Sequence, residues 1–206
     1  MLAHNQKIQT MSLQGQRTTT GAIEWDELRS LIAKLERDGN YKYCLLISIG
    51  AFTGLRISDL LGLRYCDFTE GSILTITEKK TNKIRRIKLN EDLLSLINRV
   101  KSKQLIQDNS QYIFINRYGT KPIDKSWVNV SLKKILKKYK ISVEGNVSSH
   151  MLRKTLGRRV LELNNYSDQS IVLLMVLFGH SSVGITKRYL GIREKEVMSV
   201  YESLSL

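Results

Sequence analysis

Three short stretches of the chain carry side chains suited to chemistry on a negatively charged group. His150 lies three residues before Arg153, His180 lies nine residues before Tyr189, and Arg56 follows a Thr-Gly-Leu run. Guanidinium and imidazole groups donate hydrogen bonds to charged oxygens, and a phenol becomes a nucleophile when its proton is drawn away during attack. These residue types therefore suit attack by an oxygen nucleophile on an anionic centre whose growing charge is offset by cations.

The charge of the whole chain indicates what that anionic partner is. Among 206 residues, 33 are Lys or Arg and 19 are Asp or Glu, which gives a formal net charge of +14. Such an excess favours a polyanion. Nucleic acid is favoured over a membrane, because the longest apolar run (residues 170–178) is about nine residues and a bilayer span needs about 18. A basic surface that is merely solvated remains the alternative for part of this charge.

The cysteines and the first residues limit the remaining classes. Cys44 and Cys66 both stand in apolar sequence surroundings, and no Cys-x-x-Cys or Cys/His spacing indicates a zinc site. We therefore expect a reduced protein without metal or other cofactor. Residues 1–20 contain no acidic residue and lack the apolar region of a secretory signal, so we expect a flexible, weakly basic arm.

Periodicity of the apolar residues predicts the elements that must position the reactive side chains. Helical spacing predicts an amphipathic helix over residues 24–37, and the apolar stretch 41–52 predicts a buried one. Further helices are predicted over residues 57–63, after the caps Asn90 and Asp124, and over residues 149–163 and 167–178. Two β-branched runs, 72–77 and 84–89, flank a lysine-rich turn and predict a hairpin. The fold class is thus α+β, mostly α, with one small antiparallel sheet.

Four segments in this order resemble the sequence boxes of tyrosine recombinases and phage integrases. Residues 53–63 (TGLRISDLLGL) resemble the first arginine box, and the hairpin tip resembles the lysine turn of that family. Residues 149–155 (SHMLRKT) resemble the HxxR box, and residues 177–182 (LFGHSS), followed by Thr186 and Tyr189, resemble the closing box. Two residues depart from the family pattern: glutamate is the commoner residue at the position of Asp59, and histidine often stands at the position of Lys154. The resemblance implies a helical catalytic domain with a small sheet, which we assign to residues 21–206.

The resemblance also implies a role for each matching residue. The implied catalytic residues are Arg56, Lys80, His150, Arg153, His180 and Tyr189, with Asp59 as an acidic support for Arg56. Attack on a phosphodiester spreads negative charge over the non-bridging oxygens, which the two arginines and His180 would stabilise. Tyr189 would be the nucleophile, His150 would help to remove its proton, and Lys80 would protonate the leaving 5′ hydroxyl. Lys79 and Lys83 remain alternatives to Lys80.

A further set of basic residues is predicted to contact DNA phosphates. Its members lie on the predicted hairpin and on one predicted helix: Lys79, Lys83, Arg85, Lys133, Lys134 and Lys137. The apolar stripe of Val197, Val200, Tyr201 and Leu204 is expected either to pack on its own chain or to dock on a neighbouring protomer.

Together these features predict a site-specific DNA recombinase or integrase. It would cleave and rejoin double-stranded DNA through a 3′-phosphotyrosine, without metal or ATP, as a tetrameric synapse in the cytoplasm at the nucleoid, with accessory DNA-binding proteins as possible partners. A catalytically silent DNA-binding regulator and a type IB topoisomerase remain the alternatives. About 20 residues precede the matched core, so a minimal family member, a fragment and a protein that relies on a partner for DNA grip all remain open.

Overall fold

The computed structural model describes residues 20–69, 71–119, 121–192 and 201–204. The expected arm therefore lies outside the described residues except for Thr20, as do Val197 and Val200. The described elements are helices α1 (Trp25–Arg37), α2 (Tyr41–Thr53), α3 (Ile57–Leu60), α4 (Glu91–Lys103), α5 (Lys125–Lys138), α6 (His150–Leu163), α7 (Asp168–Phe178) and α8 (Val183–Leu190), and strands β1 (Ile73–Thr77) and β2 (Ile84–Lys88). This mostly helical fold with a two-stranded antiparallel sheet is the one predicted.

Helix α2 forms the centre of the larger hydrophobic core. It packs against α1, α3, α4 and α6, and its residues are apolar on nearly every side. The helix ends at Gly54, whose φ of 60° is left-handed and therefore suits glycine. The chain turns there into α3, which is shorter than predicted and ends at Leu60. Arg56 is thereby placed immediately before α3, at the edge of the core.

The hairpin places a lysine-rich turn next to α3. Strands β1 and β2 pair from Ile73 opposite Lys88 to Thr77 opposite Ile84. The Glu78 amide donates to the Lys83 carbonyl at 2.9 Å, and the Asn82 amide donates to the Glu78 carbonyl at 2.8 Å. These bonds close the turn around Lys80. The predicted hairpin is confirmed, with each strand one residue shorter than expected.

Two predicted helix caps are confirmed on α4 and α5. The Asn90 side chain accepts from the Leu93 amide at 2.9 Å, and the Asp124 side chain accepts from the Ser126 amide at 2.7 Å. Helix α5 buries Val128, Leu132, Ile135 and Leu136 and ends at Lys138. Tyr139, directly after the helix, packs against the same core, and its hydroxyl donates to Asp38 at 2.7 Å.

Helices α6, α7 and α8 form a second, smaller core through close approach at Gly157. A Cβ there would lie 2.5 Å from Leu190 Cδ2 and 3.1 Å from the Phe178 ring, so a larger residue would push the helices apart. Helix α8 was not predicted; the Ser182 hydroxyl caps it by accepting from the Ile185 amide at 3.2 Å.

No single helix in the described ranges is long and apolar enough to cross a bilayer, although α7 and α8 together, bent by 94°, reach the required length and composition.

An ion-pair cluster on the other helices links α1 to α4. Glu36 accepts from Arg99 Nε and Nη2 and from Lys103 Nζ, each at 2.9 Å. The hydrogen bond from Arg99, followed by that from Lys103 and both positive charges, lowers the pKa of Glu36 to about 2 although burial acts in the opposite direction. The cluster lies on helices that carry none of the predicted catalytic residues.

We expect Glu36→Gln to lower the free energy of unfolding by about 1 kcal/mol at pH 7, because both partners of Glu36 are partly exposed to solvent. Since the folded pKa lies below the unfolded one, the stabilisation is complete above about pH 4.5 and is lost as the pH falls toward 2. Urea denaturation of both proteins between pH 7 and pH 3 measures this. A difference that stays constant over that range would contradict the assignment.

Candidate active site

The two arginines of the predicted site converge on one backbone oxygen. Arg56 Nη2 donates to the Phe178 carbonyl at 3.3 Å, and Arg153 Nη2 donates to the same carbonyl. Arg153 also donates to the Gly54 carbonyl and lies 4.5 Å above the Phe178 ring. Phe178 is the last residue of α7, where the helix dipole favours positive charge. The guanidinium group that precedes α3 and the one on α6 therefore meet at the end of a third helix.

Glu78 is a buried carboxylate that the sequence reasoning missed. Its Oε2 lies 2.7 Å from Arg56 Nη1, and its Oε1 lies 3.6 Å from Arg85 Nη1. Burial raises the pKa of Glu78, but hydrogen bonds from Thr81 and Arg56 and the two positive charges outweigh it, so the pKa lies below its ordinary value. The available signal was a single acidic residue at a strand end, directly before the lysine-rich turn.

Asp59 does not contact Arg56 as expected. Its Oδ1 accepts from the backbone amide of Lys79 at 2.9 Å, and Glu78 is the only ion-pair partner of Arg56 within the described ranges. The expectation is wrong about the partner because Asp59 faces the hairpin backbone across the α3 turn. Asp59 therefore ties α3 to the lysine turn, and Glu78 supplies the carboxylate beside Arg56.

Arg85 also differs from the expectation that it lies among exposed DNA-contacting residues. Its side chain is 16% exposed, because it pairs with Glu78 and its Nη2 donates to the Thr53 carbonyl at 2.9 Å. Side chains alternate between the faces of a strand, so Arg85 faces the site. The other predicted DNA contacts are exposed: Lys79, Lys83, Lys133, Lys134 and Lys137.

The Tyr189 phenol lies in an aromatic cluster beside His180. The ring centroid of Tyr189 lies 5.4 Å from that of Phe178 and 5.3 Å from that of His180. The Tyr189 hydroxyl donates to the backbone carbonyl of His150 at 3.3 Å. Burial raises the pKa of Tyr189 to about 12 although the charges of Arg153 and Arg56 act against it. The phenol is therefore protonated at neutral pH and needs a proton acceptor during attack.

His180 is oriented by Thr186 on the next helix. Its Nδ1 lies 3.1 Å from the Thr186 hydroxyl, which donates to the Ser182 carbonyl at 3.3 Å. When the hydroxyl turns its single proton to Nδ1 instead, the proton of the neutral ring is on Nε2, and that nitrogen can donate to an anion. Burial, and then the charges of Arg153 and Arg56, lower the pKa of His180. The ring is therefore predominantly neutral at pH 7.

His150, at the first turn of α6, and Lys80, on the hairpin tip, are the remaining predicted residues. Burial, followed by the positive charges of Lys125, Arg153 and Lys80, lowers the pKa of His150. A neutral imidazole at pH 7 can accept a proton. Lys80 is exposed on the hairpin tip, and its charge is the smallest of these contributions to the pKa of His150. The structure thus brings Arg56, His150, Arg153, His180 and Tyr189 together, and Lys80 acts on His150 through its charge.

The two cysteines are both free and lie in different surroundings. Cys44 is buried, and Cys66 is exposed on the turn that follows α3. Its apolar sequence neighbours face the core while its own side chain faces solvent. Within the described ranges, no three His, Cys, Asp or Glu side chains are grouped so as to hold a metal ion.

Comparison with known proteins adds independent evidence. The model of the phage integrase family matches residues 22–196. Tyrosine recombinase XerA of Pyrococcus horikoshii is 29% identical over 88% of this chain, and the probable integrase/recombinase YoeC of Bacillus subtilis is 31% identical over 84% of it and 87% of YoeC. The chain spans 60% of the length of XerA.

A solved structure supports the fold. The crystal structure of the XerH site-specific recombinase bound to difH substrate, a pre-cleavage complex, matches with a TM-score of 0.63 at 21% identity. The match covers 89% of this chain and 53% of XerH. The family match includes every residue of the site described above. The chain therefore belongs to the phage integrase family, the family of the tyrosine recombinases.

Proposed function

We propose that the protein is a site-specific DNA recombinase or integrase that cleaves one strand through Tyr189. The observation that carries this proposal is the convergence of Arg56 and Arg153 beside the Tyr189 phenol. Two guanidinium groups held by one carbonyl form a preorganised site for an anion. The XerH complex with difH substrate supports DNA as that anion.

In the proposed reaction, a DNA phosphate lies against the two arginines. The Tyr189 oxygen attacks phosphorus and forms the new P–O bond while the bond to the 5′ oxygen breaks. The phenol proton passes to His150, and Lys80 gives a proton to the departing 5′ oxygen. Arg56, Arg153 and His180 stabilise the charge on the non-bridging oxygens, and each such donor is worth about 2.7–4 kcal/mol of barrier.

The product of this step is a 3′-phosphotyrosine. One phosphate ester replaces another, so a 5′ hydroxyl from a second strand reverses the step without ATP. The two arginines, His180 and the lysine supply the charge stabilisation and the proton, and we propose that no metal is required. Exchange of strands requires several protomers on DNA, and we propose a tetrameric synapse, with accessory DNA-binding proteins as further partners at the nucleoid.

Helix α5 is the proposed contact with DNA next to the reacting phosphate. Its first residue, Lys125, is close enough to His150 to lower the pKa of that imidazole. From there, Lys133, Lys134 and Lys137 follow along its exposed face. A duplex lying over the site would therefore extend along this basic face.

Tyr189→Phe should abolish a covalent protein–DNA adduct. The substrate is a nicked suicide duplex that carries a site mapped by protein binding in the source cell, and the adduct is detected after denaturation. Tyr118→Phe, which alters a tyrosine that is 68% exposed, is the control and should leave adduct formation unchanged. An adduct that persists in Tyr189→Phe would refute the nucleophile, and relaxation of a plasmid without a specific site would favour a topoisomerase.

Replacing Lys133 and Lys137 together by alanine should weaken DNA binding and its dependence on salt. Each lost phosphate contact lowers the slope of log affinity against log salt by about 0.9, so we expect a decrease of about 2. Fluorescence anisotropy in the Tyr189→Phe background measures binding without cleavage. Lys34→Ala with Lys101→Ala, on α1 and α4, removes the same charge elsewhere; an equal decrease in that control would contradict the proposed DNA contact.

A further inference from the structure

Glu78 is a buried, ionised group to which the proposed reaction gives no role. It is 7% exposed and lies two residues before Lys80, at the point where β1 enters the turn. Its carboxylate faces the arginines of the site, while its backbone belongs to the lysine turn. One residue therefore contacts both the part of the site that would bind phosphate and the part that would deliver a proton.

On the arginine side, the carboxylate offsets repulsion among three guanidinium groups. The pKa of Arg153 falls to about 10 through burial, partly opposed by Tyr189 and reinforced by the charges of Arg56 and Arg85. Glu78 lies 2.7 Å from Arg56 Nη1 and 3.6 Å from Arg85 Nη1. Like charges in a poorly solvated site repel strongly, so a carboxylate between them keeps Arg56 directed at the Phe178 carbonyl.

On the turn side, the same residue fixes the conformation that presents Lys80. Its Oε2 accepts from the Thr81 hydroxyl at 2.7 Å, and its backbone bonds to Lys83 and Asn82 close the turn. The next amide, that of Lys79, is held by Asp59 on α3. The oxygen that pairs with Arg56 is thus the one that binds the residue after Lys80.

We propose that Glu78 is a positioning residue that fixes Arg56 and the Lys80 turn in one arrangement, so that phosphate binding and proton delivery are set together. This inference rests on the proposed strand cleavage. Glu78 itself does not touch the reacting atoms, because its carboxylate is occupied by Arg56, Arg85 and Thr81. A phosphate that draws Arg56 toward itself weakens the hold on Glu78 and so acts on the turn that carries Lys80.

Two substitutions separate the charge of Glu78 from its shape. Glu78→Gln keeps the size of the side chain and an oxygen that accepts from Thr81, but it removes the charge that holds Arg56. Glu78→Asp keeps the charge and shortens the side chain by one methylene. The matched control is Glu36→Gln. It removes a carboxylate on α1 that bridges two cations on α4, away from the site.

The experiment compares two nicked duplexes that differ in one atom. One has the natural 5′ oxygen at the cleaved bond, and the other has sulfur there. A thiolate leaves without protonation because a thiol has a pKa near 8.5, so the sulfur substrate bypasses Lys80. The rate of covalent adduct formation is measured in single turnover with saturating protein.

With the oxygen substrate, we expect Glu78→Gln to slow adduct formation by about 100-fold, the size of effect that a misplaced group produces. With the sulfur substrate, we expect the loss to shrink to about tenfold. The part of the loss that comes from a misplaced Arg56 remains, whereas a misplaced Lys80 no longer slows the reaction because the leaving thiolate needs no proton. Glu78→Asp should recover part of the rate on both substrates. Lys80→Ala should show a loss that disappears on sulfur, which calibrates the comparison.

The outcomes separate this inference from the proposed function. Wild-type adduct with an unchanged rate in Glu78→Gln overturns the positioning role but leaves strand cleavage intact. Equal losses of Glu78→Gln on oxygen and sulfur overturn the link to Lys80, and a matching loss in Glu36→Gln shows a general effect on folding and overturns it as well. If the wild type forms no adduct on either duplex, the proposed cleavage fails and this inference fails with it.

Discussion

The site depends on two positively charged guanidinium groups held close together by one carbonyl oxygen. Arg56, directly before α3, and Arg153, on α6, both donate to Phe178, the last residue of α7, although they are far apart in sequence. Their mutual repulsion is offset by the negative end of the α7 dipole and by the buried carboxylate of Glu78. Donors held in this way need little reorganisation to bind an anion, which is the main requirement for stabilising a phosphoryl transition state.

The packing of the helices serves this arrangement. The left-handed residues Gly54 and Gly179 end α2 and α7 abruptly. The chain therefore turns next to the Gly54 and Phe178 carbonyls, and both of these accept from Arg153. Gly157 lets α6 approach α7 and α8, and this approach brings Tyr189 beside Phe178. The large core around α2 supports one side of the site, and the small core of α6 to α8 carries the phenol.

The sequence was sufficient for the fold class and most helices, because apolar periodicity is a local signal. The roles of the six site residues stay a prediction from the spacing of the boxes. Helix α8 was missed, since its eight residues span only about two turns, too few for helical spacing to repeat. The partners of the charged residues were not predictable either. Asp59 was expected beside Arg56 and Arg85 beside DNA, whereas Glu78 occupies the first place and the strand pleat turns Arg85 inward. Such pairings depend on register and side-chain reach across the hairpin.

The most direct measurement of the central claim removes charge from the DNA rather than from the protein. A methylphosphonate at the cleaved position replaces one non-bridging oxygen by a methyl group and makes the linkage neutral. If Arg56 and Arg153 stabilise negative charge there, Arg153→Ala should lose about 100- to 1,000-fold in adduct formation on the ordinary phosphate and much less, relative to the wild type, on the methylphosphonate. An equal loss on both substrates would contradict the account.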